Sequence, residues 1–424
     1  MENKRLTLIT IAILLTTSMT AQTAREELKT NRFLSASNYL NYENQMTDKP
    51  LTPSPEGYEP FYMSHYGRHG SRWLISENSY SDVEEPMKKA RKAGKLTATG
   101  EETLEKLERF VPCTEKRFGD LTTVGERQHH GIARRMVQNF PEIFKKKDVK
   151  IDARSTVVIR CILSMAAECE ELAAANPTAR FHNDASKALQ FYMAPSAEGA
   201  VKEMDRKGRK FRKSAVGITR PERLMALLFN DAAWVKEHID TDNFINKLFD
   251  IACNMQSHDT DIEFYSLFTD DEIYEQWRIR NIGWYVDYGA SPVTKSIMPF
   301  REKLLLKNII ETADTVTQTQ ATLRFGHEVC LLPLACLLEL DSCGIVVNDT
   351  AEVDRYWRNY RIFPMASNIQ LVFYRPTNEG KGDILVKALL NERETTLPVP
   401  TDQYPYYKWA DLRKYYTDKL AQVE

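Results

Sequence analysis

Apolar residues are distributed along the chain in three regimes. The first is a short block. Leu6 to Leu15 is apolar with Thr7 and Thr10 as its polar breaks, behind Lys4 and Arg5 and ahead of the small and polar residues Thr16 to Gln22. A basic start, an apolar core and a small-residue exit are the pattern of a secretory signal, so residues 1–21 are expected to be removed by cleavage near Ala21. The block is too short to span ~30 Å of hydrocarbon comfortably, and no later segment is apolar enough to do so.

The second regime mixes strand and helix patterns. Tyr58 to Tyr66 reads as a strand ending at a loop, and Val149 to Ile151 as a short apolar segment. Glu84 to Lys95, Glu101 to Arg109 and Asp120 to Gln138 carry helical spacing. Arg154 to Glu171 is expected to open with a turn and continue as an amphipathic helix. Further on, Phe300 to Ala313 and Val329 to Leu340 read as helices, and Ala321 to Phe325, Ile369 to Tyr374 and Ile384 to Leu390 as strands. The third regime, Phe191 to about Pro299, is helical almost throughout, with one tryptophan- and tyrosine-rich stretch near Trp284 that has strand character.

Core segments on both sides of a helical middle predict an α/β fold: a central, mostly parallel sheet flanked by helices, with a smaller α-helical domain inserted. The expected divisions are the signal at 1–21, the first part of the α/β core at 22–185, the helical insertion at 186–299 and the second part of the core at 300–424. A chain of 424 residues needs neither metal nor disulfide to hold such a core. Its net charge of −2 argues against a surface built to wrap nucleic acid. The seven cysteines (113, 161, 169, 253, 330, 336 and 343) have no zinc-like spacing, and an odd count leaves at least one unpaired in a monomer. Most read as small buried apolar residues.

Chemistry concentrates in His65-Tyr66-Gly67-Arg68-His69-Gly70-Ser71-Arg72-Trp73. Arg68 and Arg72 can fork onto phosphate oxygens. His69, between two cations, stays neutral and can present a nitrogen to phosphorus. Gly70 permits a tight turn close to a ligand. The competing reading is a basic surface loop with an incidental histidine.

Further segments extend the pattern. Arg68-His69-Gly70-Ser71-Arg72 resembles the Arg-His-Gly-x-Arg signature of the histidine acid phosphatases. Leu121-Thr122-Thr123-Val124-Gly125 resembles that family's Leu-Thr-x-x-Gly helix start, and Arg154-Ser155-Thr156 with Arg160 and Ser164 its next segment. His327-Glu328, ahead of Leu331-Leu332-Pro333-Leu334, resembles its late histidine and acid. The likeness spans most of residues 58 to 375, and Pro364 to Asn368 with the strand that follows is most similar to the multiple inositol polyphosphate phosphatases. That branch usually carries His-Ala-Glu. Here Glu328 follows His327 directly, where the aspartate of the His-Asp branch would stand.

The resemblance implies a metal-independent phosphomonoesterase with no cofactor. Arg68, Arg72, Arg160 and His327 would hold phosphate, His69 would be the nucleophile, and Glu328 would give a proton to the leaving alkoxide. An acidic pH optimum follows, because the acid must be protonated when substrate arrives. The implied substrate is inositol hexakisphosphate or another small polyphosphorylated molecule, handled by a monomer in the periplasm or outside the cell. A broad acid phosphatase on sugar or nucleotide monophosphates, or a non-catalytic polyanion binder, are the alternatives.

Lys202, Arg206, Lys207, Arg209, Lys210, Arg212 and Lys213 form a basic run. Such runs are usually solvated faces. Lys207, Arg209 and Lys210 are also expected to contact outer phosphates of a polyanion at the cleft mouth. Asp240-Thr241-Asp242 and Asp259-Thr260-Asp261 lack the preceding strand that an aspartate nucleophile requires.

Overall fold

A computed structural model describes residues 22–45, 49–214, 220–378 and 382–423. The segment read as an export signal lies outside the described residues. Eight strands form one sheet: β1 (Tyr58–Arg68), β2 (Lys150–Ser155), β3 (Arg180–Asp184), β4 (Ala321–Gly326), β5 (Asn368–Pro376), β6 (Leu385–Leu390), β7 (Arg393–Thr395) and β8 (Tyr407–Lys408). Their order is β3-β2-β4-β1-β5-β6-β7, with β8 also paired to β6. The α/β reading holds, with a mixed sheet. β3, β2, β4 and β1 are parallel neighbours, and β1–β5, β5–β6, β6–β7 and β6–β8 pair antiparallel.

Each face of β1 meets its own helical layer, because alternate residues point to opposite sides of a strand. Tyr62 and Tyr66 pack with helix residues of Lys303–Thr315, Glu328–Leu337 and Trp409–Leu420. Met63 packs on the other side with residues of Thr123–Asn139 and Ile159–Ala175. Both faces are covered, so β1, β4 and β5 are buried along most of their length, polar positions included. A further cluster is mostly helical. It joins Leu74–Phe110 to Leu224–Trp277, so the helical middle shares its core with segments that precede it.

Two local expectations change. Trp284 sits in a helix, Asp270–Tyr288, that starts from a capping box between Thr269 and Glu272. Trp284 and Tyr288 are one turn apart with ring centroids at 5.3 Å, so the aromatic residues that suggested a strand pack along a helix. Arg154 and Ser155 end β2, and the helix after them starts at Ile159. The short strands β3, β7 and β8 and the helix Trp409–Leu420 have no counterpart in the sequence reading. Asp240 caps the helix Thr241–Asn254, and Asp259 pairs with Arg127, which accounts for both aspartate strings. Six of the seven cysteines are buried and none is disulfide-bonded. Among the described residues no helix is long and apolar enough to cross a membrane.

Candidate active site

The carboxyl ends of β1, β4 and β2 stop side by side, the usual location of ligand sites in open α/β sheets. Arg68 is in register with Gly326, the His69 N–H donates to the Gly326 carbonyl at 3.0 Å, and the Thr156 N–H donates to the Phe325 carbonyl at 3.0 Å. His69, Thr156 and His327 therefore emerge from neighbouring strands at one level.

The signature loop rests on the helix Thr123–Asn139. The Thr122 N–H and hydroxyl both donate to the Ser71 carbonyl, at 2.9 and 3.0 Å, while the Thr122 oxygen caps the helix at the Gly125 N–H. A β-carbon on Gly70 would lie 2.4 Å from the Gly125 carbonyl oxygen. Gly70 thus permits backbone-to-backbone approach, and it carries no left-handed turn. The Gly70 N–H donates to Ser164 Oγ at 3.1 Å, and the Ser71 N–H to Gln128 Oε1 at 2.9 Å. These ties explain why the Leu121–Gly125 and Arg154–Ser164 segments accompany the signature.

His69 is fully buried, with Nδ1 2.9 Å from the Gly70 carbonyl oxygen. A carbonyl only accepts, so Nδ1 carries the proton and Nε2 presents its lone pair. Nε2 has no hydrogen-bond partner. Burial holds the imidazole well below its ordinary pKa, Arg68 and Arg160 push the same way, and Glu328 opposes them. Burial is thus a larger cause of neutrality than the flanking cations. His327 is held down to about 4, again first by burial and then by Arg160, Arg68 and Arg72, against Glu328. The two imidazoles stand at 69° to each other, with centroids 5.6 Å apart.

Glu328 opens the helix Glu328–Leu337, and His327 is its extended N-cap. That change of backbone conformation turns two consecutive side chains toward one point. Glu328 Oε2 lies 3.1 Å from Arg68 Nε and 3.6 Å from His69 Nε2. Burial alone would raise the Glu328 pKa. Arg68 and the contact with His69 outweigh it and hold the carboxyl well below the usual range.

Arg68 donates from Nη1 to the carbonyls of Phe363 and Pro364, at 2.9 and 3.1 Å, leaving the buried Nη2 unpartnered. Arg72 donates from Nη1 to the Trp73 carbonyl at 2.9 Å, and Arg160 from Nη1 toward the Gly119 carbonyl at 3.4 Å. The Nε of each is buried without a partner. Three guanidinium groups with idle donors, Arg68 and Arg72 buried and Arg160 half-buried, are suited to a tetrahedral oxyanion.

Donor atoms of His69, His327 and Glu328 lie within 4.8 Å of one another, the one such trio among the described residues. The surrounding guanidinium charge opposes a cation there.

With this constellation in place, the sequence profile of the histidine phosphatase superfamily (branch 2) matches residues 67–391. The chain belongs to that family. A multiple inositol polyphosphate phosphatase of Bifidobacterium longum, solved with inositol hexasulfate, is 18% identical with a TM-score of 0.70, over 90% of this chain and 97% of that one. The phytase from D. castellii is 14% identical with a TM-score of 0.69, over 92% and 85%. A Hafnia alvei phytase solved with myo-inositol hexakis sulphate is 11% identical with a TM-score of 0.54, over 86% and 98%. A search of curated proteins finds no match. At these identities the likeness shows a shared fold.

The structure brings together Arg68, His69, Arg72, Arg160, His327 and Glu328. Lys207, Arg209 and Lys210 are on the helix Gly199–Ser214. Lys207 and Lys210 are exposed, and Arg209 pairs with Asp205 one turn earlier on the same helix. Arg209 does share an electrostatic neighbourhood with Tyr288, which also feels Glu328. Sequence reasoning missed the groups around His327: Thr156 Oγ1 lies 3.3 Å and Cys161 Sγ 3.6 Å from its Nε2. Thr156 was within reach as part of the Arg154-Ser155-Thr156 segment. Cys161 had no sequence signal beyond its place beside Arg160.

Proposed function

We propose that this protein is an exported phosphomonoesterase that forms a phosphohistidine at His69 and acts on inositol polyphosphates, inositol hexakisphosphate among them. The observation that carries the reaction class is the fixed tautomer of His69, whose bare Nε2 stands among idle guanidinium donors.

The chemistry follows from the positions. Phosphate oxygens take the free donors of Arg68, Arg72 and Arg160. His69 Nε2 attacks phosphorus as the bond to the ester oxygen breaks. The Nδ1–H held by the Gly70 carbonyl steadies the imidazolium charge that develops. The ester oxygen leaves with the bonding pair and takes a proton from Glu328. In the second half Glu328 accepts a proton from water, the water oxygen bonds to phosphorus, and the P–N bond returns its electrons to His69. Glu328 is an ionised partner of Arg68 in the free protein. An arriving phosphate competes for that arginine and brings negative charge beside the carboxylate, which raises its proton affinity.

The inositol polyphosphate reading is supported by family membership and by fold neighbours solved with sulfated inositols. The export reading is supported by the N-terminal sequence.

The deciding experiment is acid-quench labelling with a radioactive phosphate ester, comparing the wild type with His69→Ala. Label on the wild type alone is expected, and an unlabelled wild type that still turns over substrate would refute the covalent step. Activity ratios between inositol hexakisphosphate and sugar or nucleotide monophosphates then test the substrate class.

A further inference from the structure

The turn that carries His327 and Glu328 has a backbone group for the sheet to satisfy. β4 ends at Gly326, and the His327 N–H is the first beyond it. That N–H donates to the Tyr66 hydroxyl at 3.4 Å. Tyr66 is 1% exposed and comes from β1, three residues before the nucleophile. Its phenol presses on the turn so closely that a β-carbon at Gly326 would lie 2.1 Å from the Tyr66 oxygen.

Behind Tyr66 runs a protonated chain that the chemistry above does not use. Cys330 is an electrostatic neighbour of Tyr66, and Glu302 of Cys330. Cys330 lies in the first turn of the helix that Glu328 opens. Glu302 closes the turn Met298–Glu302, is 0% exposed, and has no hydrogen-bond partner for either carboxyl oxygen among the described residues. An ionised carboxylate in that position would be very costly. Burial keeps Glu302 well above the usual carboxyl range, with Arg301 opposing, so it is a neutral acid. Burial likewise keeps Cys330 a thiol and Tyr66 a phenol.

We propose that Tyr66 is a positioning residue for the acid-bearing turn, braced by Cys330 and Glu302, and that it sets where His327 and Glu328 point. The inference rests on the phosphohistidine reading and specifies what holds its proton donor. Two consecutive residues can converge on His69 only if the turn between strand and helix is fixed, because rotation at His327 would carry Glu328 away from Arg68. The phenol supplies that fixation from the strand that also delivers the nucleophile. The chain ends on a backbone N–H, so it orients the site and passes no proton into it.

Tyr66→Phe keeps the ring and removes the oxygen. In the full chain, kcat on inositol hexakisphosphate, an alkoxide ester whose departure uses the Glu328 proton, is expected to fall about fivefold or more while KM stays within about twofold. The limb of the pH–rate profile set by Glu328 should move by about half a unit or more. Cys330→Ser, which keeps a donor and acceptor, should retain most activity, whereas Cys330→Ala should lose activity about as Tyr66→Phe does. A Tyr66→Phe enzyme with wild-type kcat and an unmoved limb overturns the inference. If Tyr66→Phe does not fold by circular dichroism, the Cys330 pair decides: equal activity in the serine and alanine variants overturns it. Acid-quench labelling of the wild type separates the two claims, since an unlabelled wild type fails the phosphohistidine reading, whereas a labelled wild type with indifferent variants fails this one.

Discussion

Glu328 Oε2 lies 3.1 Å from Arg68 Nε, so in the free protein this carboxylate occupies one donor of that guanidinium group. On the proposed mechanism this pairing makes Glu328 both a placeholder for phosphate and, once phosphate displaces it, the donor to the departing oxygen. Glu328→Gln keeps the shape and removes the proton. Turnover of inositol hexakisphosphate, an alkoxide ester, should fall ~10²–10⁴-fold, and p-nitrophenyl phosphate, whose leaving group needs no proton, should lose much less. Steady-state kinetics on the two substrates checks this, and equal losses would remove Glu328 from the role of acid.

Gly125 meets the signature loop backbone to backbone. A β-carbon there would lie 2.3 Å from the Ser71 carbonyl oxygen and 2.7 Å from its nitrogen. Gly125→Ala should therefore cost about 1–3 kcal/mol of stability and displace the loop that presents His69. Urea melts together with labelling of His69 measure both effects. A variant with full stability and full labelling would show that the loop does not depend on this approach.

Acid should weaken the fold through its buried histidines. Burial lowers His65 to about 4, and both its ring nitrogens are without hydrogen-bond partners. Between pH 6.5 and 4 the unfolded chain holds a proton on this side chain that the folded one does not. Stability therefore falls as pH drops through that window, by up to about 1.4 kcal/mol per unit for each such histidine. His65→Leu should reduce the loss between pH 7 and pH 5 by about 2 kcal/mol. Denaturant melts at the two pH values test the sign, and an unchanged loss would mean that His65 is not the titrating group.

Lys207, Arg209 and Lys210 offer a test of substrate class. Neutralising all three should raise KM for inositol hexakisphosphate several-fold, on the order of 1 kcal/mol, and leave KM for phenyl phosphate near its starting value. Equal shifts on both substrates would return the helix face to an ordinary solvated surface.

Much of the site was legible because its key residues are short, ordered motifs: Arg68 to Arg72, Leu121 to Gly125, Arg154 to Ser164 and His327-Glu328. The reason that Thr122 and Gly125 accompany the signature was not legible, since it is a contact between backbones 51 and more residues apart. Aromatic composition misled at Trp284, where ring contacts one helical turn apart won over strand propensity.

Local pattern in the chain determined the residue types of the proposed phosphate clamp, the α/β class and most of the long elements, because side-chain chemistry and hydrophobic period are local properties. Tertiary structure alone decided that β1, β2 and β4 end at one level, that Nδ1 of His69 is tied to Gly70, that Glu328 reaches Arg68 without a spacer residue, and that Tyr66 holds the turn. Those are matters of burial and register between distant segments. They set the tautomer, the charge state and the aim of groups whose names were already visible.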